Sequence, residues 1–509
     1  MDYSKTSFPS LLAPNCHSVA DLEHGNFTTK LPQQLRLPAK LDRDEYIASL
    51  KHTAVAALAS LYNNGKDCRV FNRLNGSFNV CFFVEFTQCG TRWAVRVPIE
   101  PRLHKPWEKL QSEAATLKYV YANTKIPVPA LHAVGNDAVL TDDETSRQMF
   151  LISDLVPGSP LTDDRLERLA EADDATQRRF FLQLIGYLQE LRDLEFPAIG
   201  SLMPTTDDKP AVGNILSFSA DKYQLEQPPC TSAKEYMSLQ YDVLVRHVAE
   251  PAPDFSVADC RYELFALHTL REPFREFFQS HRESGPFVLH QPDLQPCNIL
   301  VDEELRITGI IDWEFAHTIP AQLFTPPLWV IYPKQNFRQL SLTFVKTLFS
   351  QPRHERLCRQ WYNGSKFNLD FFFARLIRHP GDLNEAFMEY LRKHLNADSD
   401  QAESEFFERH PEVAVEAEQK ALQNEQWKLR PRGLPEQLLG RFGMAICTCT
   451  TKERVSTDKA AEDGEFGEKF RFERTQFKSP ELAALAATSL SQKPNAYSNL
   501  SRGIPLGRT

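Results

Sequence analysis

Residues 287–316 read FVLHQPDLQPCNILVDEELRITGIIDWEFA. Two short apolar runs, Phe287–Leu289 and Ile299–Val301, flank a polar loop holding Asp293 and Asn298. A third run, Ile307–Ile311, delivers a second acid, Asp312, directly after two isoleucines. Short apolar runs between turn residues are buried-strand signals. An acid and an amide on one loop, with another acid ending a nearby strand, are therefore expected to converge. Such oxygen ligands suit a hard cation that also holds phosphate.

Upstream of this stretch the chain is rich in strand signals. A helix is expected from Asp42 to Asn64, where Ile47, Leu50, Ala54, Leu58 and Leu61 recur at helical spacing before Asn63-Asn64-Gly65. Cys68–Leu74 and Phe78–Phe86 read as two strands joined by an Asn75-Gly76 turn. A third strand, Trp93–Val97, carries Arg96, and a helix over Trp107–Tyr121 carries Glu113. The segment IPVPALHAVGN (126–136) leads to a further strand over Gln148–Leu155. Val156-Pro157-Gly158 then marks the preferred boundary between lobes.

Beyond that boundary the pattern is helical. Helices are expected over 175–194, where Phe180, Leu184, Leu188 and Leu191 form one face, and over 232–250, 264–279, 335–350 and 366–395. Residues 201–230 are turn-rich, Pro320–Pro333 is apolar and Pro-rich, and the Glu-dense 400–428 reads as a solvated helix face. The resulting organisation is an arm over 1–40, a strand-rich lobe over 41–157, a helical lobe over 158–430, and a tail over 431–509 expected to be mostly disordered apart from a short helix at 480–490.

Composition narrows the function classes. The 509 residues are 42% hydrophobic and 25% charged, as in globular proteins, and the net charge of −9 argues against nucleic acid as a general partner. The ten cysteines form no CxxC pair, which suggests reduced thiols and a cytosolic setting. The N-terminus lacks a basic start followed by an apolar core, and no run reaches the length of a membrane span.

A hairpin lobe, a Pro-Gly hinge, a helical lobe, and PDLQPCNILVD followed by IIDWEFA resemble the aminoglycoside phosphotransferase family, in the divergent style of fungal members. That family shares the protein-kinase-like fold with choline kinases and homoserine-kinase-like enzymes, and the resemblance spans roughly residues 65–395. It implies an α+β bilobal fold with a small antiparallel sheet and a larger helical lobe. The implied activity is ATP-dependent transfer of the γ-phosphate to a hydroxyl of a small metabolite. Carried over by motif, Asp293 is the acid that accepts the hydroxyl proton, and Asn298 and Asp312 hold Mg²⁺. Arg96 contacts the nucleotide phosphates, Glu113 pairs with it, and Gly76 lies in the loop over the phosphates. Ser153–Val156 occupies the hinge that grips the adenine.

Each assignment has a plainer reading beside it. Asp293 and Asn298 could cap a turn, Arg96 and Glu113 could pin helix to sheet, and Asn75-Gly76 could be an ordinary hairpin. The sequence also departs from the pattern. Gln291 stands where the family often has histidine, which makes His290 a structural brace, and an arginine replaces the usual lysine. The competing function is a catalytically weak kinase-like binding or scaffold protein. Protein kinase activity is less supported, because no A-P-E pattern follows Asp312. Asp254, Asp259 and Glu263 could meet a polycationic acceptor, but read more simply as surface acids.

Overall fold

In Asn79–Phe86 the alternate residues Val80, Phe82, Val84 and Phe86 are apolar, and these are the fully buried ones. A period of two puts them on one face of a sheet, which must then be covered. The cover comes from two helices, α1 (Arg43–Ser49) and α2 (His52–Tyr62), which supply Ile47, Val55 and Ala59 to the same core. The computed structural model describes residues 43–206, 209–277, 285–362 and 368–428. The expected arm and the tail with its short helix lie outside them.

The small lobe is a five-stranded antiparallel sheet. Its strands are β1 (Cys68–Asn75), β2 (Asn79–Phe86) and β3 (Arg92–Pro98), then, after helix α3 (Pro106–Asn123), β4 (Leu131–Ala138) and β5 (Gln148–Asp154). They lie in the order β1-β2-β3-β5-β4. β4 starts within the IPVPALHAVGN connector that the sequence reading gave no strand. The expected single helix over 42–64 is two, because Lys51 turns extended and its N–H donates to the Leu140 carbonyl at 2.8 Å. The hairpin turn is displaced as well. Asn75 pairs with Val80 and the Gly76 N–H donates to the Asn79 carbonyl, so Ser77-Phe78 forms the tip instead of Asn75-Gly76. The displacement gives Phe78 a seat: its ring packs edge-on to Phe218 and Phe315, each at 5.6 Å.

The remainder is mostly helical. β6 (Ser159–Pro160) is followed by α4 (Asp163–Glu171), α5 (Asp174–Asp193) and β7 (Glu195–Phe196). The turn-rich 201–230 holds β8 (Leu202–Met203), β9 (Ala211–Val212) and α6 (Phe218–Lys222). Then come α7 (Ala233–Ala249) and α8 (Val257–Glu276). α8 starts earlier than expected because Ser256 and Asp259 form a reciprocal capping box. The site-bearing stretch supplies β10 (Phe287–His290), β11 (Ile299–Val301), β12 (Ile307–Ile310) and β13 (His317–Pro320). β10 pairs with β13 and β7, and β11 pairs with β12 and β6.

The chain closes with α9 (Leu328–Ile331), α10 (Arg338–Phe349), α11 (Glu355–Trp361), α12 (Leu369–Arg378), α13 (Leu383–Tyr390), α14 (Ser399–Arg409) and α15 (Pro411–Lys428). Pro380 divides the helix expected over 366–395, since the residue before a proline is driven out of the helical region. The expected solvated face over 400–428 is in fact docked: Phe406, Phe407, Val413 and Ala417 are buried, as is Lys420. Glu263 is buried too, against the reading of it as a surface acid, because it pairs with Lys420 at 2.6 Å. The architecture is the bilobal α+β fold expected, a small antiparallel sheet beside a larger helical lobe. Among the described residues no helix is long and apolar enough to cross a membrane, and the seven cysteines there form no disulfide.

Gly158 sits where the lobes join, at φ +114°, and a Cβ there would lie 2.3 Å from Thr308 Oγ1 and 2.9 Å from the Val301 carbonyl. Only glycine combines that backbone conformation with so close an approach. The boundary segment is therefore fitted against the β11–β12 hairpin that flanks the site loops.

Candidate active site

His290 and His317 are paired across β10 and β13. From this rung both polar loops leave the sheet, Gln291–Asn298 on one side and Asp312–Phe315 on the other. Asp312 lies at φ +61° and Phe315 at φ +62°, both in the left-handed region that costs a non-glycine residue energy. The loop is held by neighbours. Trp313 is buried and its indole N–H donates to the Ile310 carbonyl at 3.0 Å, while the Gln291 amide donates to the Asp312 carbonyl at 2.8 Å. Gln291, where a histidine was the family expectation, thus ties one site loop to the other. On the first loop, Asn298 Nδ2 donates to the Asp293 carbonyl at 2.8 Å and to its Oδ2 at 3.1 Å. With the amide nitrogen so used, the Asn298 Oδ1 is the atom left for a cation.

The small lobe reaches the same place. Arg96 on β3 donates one guanidinium nitrogen to Glu113 of α3 and the other to Asp312 Oδ1 at 3.3 Å, with Glu314 Oε2 at 3.6 Å. Arg96, Glu113 and Asp312 are therefore brought together. Two partners went unassigned in the sequence. Lys109 of α3, 2% exposed, donates to Glu314, which also accepts from Asn79 Nδ2 at 2.8 Å. Lys109 precedes Glu113 by four residues, the spacing of one helix face, and Glu314 is the acid of the DWE triplet. Those were the available signals. The Lys109 ammonium also lies 5.6 Å from the Phe78 ring and 5.0 Å from the Phe315 ring, between the hairpin tip and the loop.

Other expected contacts are committed elsewhere. The Gly76 N–H is engaged by Asn79, and its carbonyl accepts from Arg43 at 2.9 Å. In the hinge, the Asp154 and Leu155 N–H groups donate to Ala130 and Arg92. His290 is buried and held neutral: burial, followed by the Arg378 charge, pushes its pKa well below the ordinary value.

The charges do not balance. Among the described residues Arg96 and Lys109 are the cations paired with Glu113, Asp312 and Glu314, three acids to two cations, and the Asp293 charge also acts on Asp312. The imbalance surfaces at Asp312, whose carboxyl is pushed well above the usual range by burial and then by Glu314. Glu314 is also buried, yet Lys109 and Arg96 outweigh that cost and hold it low. Among the described residues no three His, Cys, Asp or Glu side chains form a metal-binding group by themselves. A magnesium ion asks for less, one or two carboxylates with the remaining positions filled by water and substrate phosphate. The excess of acids over cations and the hard oxygen donors fit that requirement.

Residues 73–322 match the model of the phosphotransferase enzyme family, an interval that includes every site residue from Gly76 to Glu314. The chain is 26% identical over 262 residues to clavilactone A biosynthesis cluster protein Y of Ampulloclitocybe clavipes, which covers 50% of this chain. The chain spans 61% of that relative's length. Similar solved structures include a macrolide 2'-phosphotransferase type I (14% identity, TM-score 0.35, 69% of this chain and 94% of that one). A Plasmodium vivax ethanolamine kinase (12%, 0.36, 77% and 95%) and a microcompartment-associated aminopropanol kinase (15%, 0.34, 73% and 98%) are also similar.

Proposed function

We propose, on the match of residues 73–322 to the phosphotransferase enzyme family, that the chain is a kinase that uses ATP and Mg²⁺ to phosphorylate a hydroxyl of a small molecule. The observation that carries this reading is Arg96 bridging Glu113 and Asp312, residues of both lobes joined at one point. Phosphoryl transfer asks a protein mainly for positioning and charge neutralisation. Asp293 accepts the proton of the acceptor hydroxyl as its oxygen bonds to the γ-phosphorus and the bond to the β–γ bridging oxygen breaks, releasing ADP. Arg96 neutralises phosphate charge, and Glu113 fixes the direction of its guanidinium. Asn298 and Asp312 would hold the metal, whose chemistry when bound is to neutralise phosphate oxygens. Lys109 and Asn79 hold Glu314, and through it the loop that presents Asp312.

One observation favours the alternative, a catalytically weak kinase-like binding or scaffold protein. The Gly76, Asp154 and Leu155 N–H groups, available to nucleotide in the family pattern, are already bonded. Two variants separate the readings. Asp293→Asn is expected to lower turnover of labelled ATP over a hydroxyl-metabolite panel by at least about 100-fold, while the ATP–Mg²⁺ thermal shift persists. Asp312→Ala is expected to abolish the Mg²⁺-dependent part of that shift. A wild-type protein that turns over no ATP on any acceptor would be the binding or scaffold protein, and the absence of a shift together with the absence of turnover would end the kinase reading.

A further inference from the structure

Helix α12 carries two arginines with opposite surroundings. Arg375 is saturated, with Asp382 at 2.7 Å, Glu385 at 3.0 Å and Glu389 at 3.9 Å, and it stacks over Tyr332 at 4.7 Å. Arg378 has no carboxylate within ion-pair distance among the described residues, and its side-chain hydrogen bond there goes to Thr325 Oγ1 at 2.8 Å. The groups whose fields act on it are the phenols of Tyr236 and Tyr332. Burial pushes its pKa down to about 10, unusual for a group that ordinarily never loses its proton. Arg378 is half-buried, and a partly desolvated cation without a counter-ion costs stability unless a ligand completes it.

Its position says which ligand. The Arg378 charge acts on both His290 and His317, the rung from which the Asp293 and Asp312 loops leave the sheet. Around that rung the Tyr236 hydroxyl lies 3.5 Å from His317 Nε2, and Phe324 packs edge-on to His290 at 6.2 Å. The ring nitrogens of His290 make no hydrogen bond among the described residues. The groups about the Arg378 cation are thus hydroxyls, imidazoles and aromatic faces, while the nearby acids Asp382, Glu385 and Glu389 are engaged by Arg375.

We propose that Arg378 is the anchor for an oxyanion carried by the acceptor, so that the substrate is an alcohol bearing a carboxylate or phosphate. This rests on the phosphotransferase reading and narrows it. Arg378 would donate bidentate hydrogen bonds to the oxyanion, with Thr325 holding the guanidinium, while the substrate hydroxyl extends toward Asp293.

The test uses the full chain and one carbon skeleton with four end groups: glycerate, glycerol 3-phosphate, glycerol and 3-amino-1,2-propanediol. Binding by calorimetry and phosphorylation by labelled ATP are expected to favour one of the two anions over the neutral and cationic probes by about 10- to 100-fold, the worth of a charged hydrogen bond. The preferred anion identifies which oxyanion the site takes. Arg378→Met is expected to erase that preference, and Arg378→Lys to restore part of it. Without any ligand, Arg378→Met is also expected to raise the melting temperature, because it removes a half-buried cation that no carboxylate offsets among the described residues. A lower melting temperature in Arg378→Met, or an equal or greater preference for the amine, overturns the inference whether or not the chain is a kinase. Loss of ATP turnover with the anion preference of binding intact would overturn the kinase reading and leave the anchor standing.

Discussion

Glu314 accepts hydrogen bonds from Lys109 and Asn79 and lies 3.6 Å from Arg96, so one carboxylate gathers β2, β3 and α3 around the loop of Asp312. Its place in DWE was visible in the sequence, but its function was not. A carboxylate two residues after a metal-binding candidate reads as a further ligand or a surface charge until its partners are known, and those partners lie on the other lobe. Arg96, Glu113, Asp293, Asn298 and Asp312 were legible because each belongs to a local motif. Lys109 was hidden by the general rule that lysines stay in water. The network predicts a coupling. Lys109→Met leaves Glu314 without its main cation, which raises the negative potential on Asp312 and turns Arg96 toward Glu314. ATP–Mg²⁺ affinity is expected to fall about 10-fold, the worth of one pK unit of interaction. Adding Glu314→Gln is expected to return most of it, as measured by titration calorimetry.

Elements were readable where periodicity ran uninterrupted, as over α5 and α7, and were misplaced where a tertiary contact interrupted it. The break between α1 and α2 is paid for by a hydrogen bond to Leu140, and the hairpin tip is set by a seat for Phe78, neither of which is local. α15 shows the same limit in its burial. Its Glu-dense sequence implies solvent, yet Lys420 reaches Glu263 of α8, and Asn424 Oδ1 accepts from the Ala252 N–H at 3.0 Å. Both members of the ion pair are almost wholly buried, so breaking it strands a charge. Lys420→Met is expected to cost about 3–5 kcal/mol in urea denaturation. Lys420→Met with Glu263→Leu should cost clearly less, since the apolar pair leaves no orphan.

For the whole molecule, the order strand-rich lobe, hinge, helical lobe was legible from the change in hydrophobic period, and the fold class followed. The pairing of lobes was not, because no periodicity reports on contacts between distant segments. Stability should follow pH through histidines held neutral inside the fold. Burial first lowers His268, His354 and His379 to about 4, helped by His410 at His268 and by Arg353 at His354, and opposed by Asp382 at His379. His354 is 1% exposed, and its Nε2 accepts from Arg353 at 3.1 Å, a bond its protonated form cannot keep. Unfolded histidines titrate near 6.5, so between that value and about 4 the unfolded chain binds more protons. Stability is full above pH 6.5 and is lost as pH falls toward 4. Raised carboxyls such as Glu100 and Glu403 offset part of this. His354 alone is expected to account for about 1 kcal/mol by pH 5.5, and His354→Gln should flatten the fall in melting temperature between pH 7 and 5.5.

The ties that assemble the site are long in the chain: Asn79 to Glu314 spans 235 residues, Arg96 to Asp312 spans 216, and Lys109 to Glu314 spans 205. Contacts of such separation carry a large loop-closure cost that is met only once the intervening segments are compact. During refolding, helix content and the packing of each lobe should therefore recover first, with the contacts between Arg96, Lys109 and Asn79 and the Asp312–Glu314 loop the slowest to return. A chain still being synthesised would hold Arg96 and Glu113 for some two hundred residues before the acids they serve emerge.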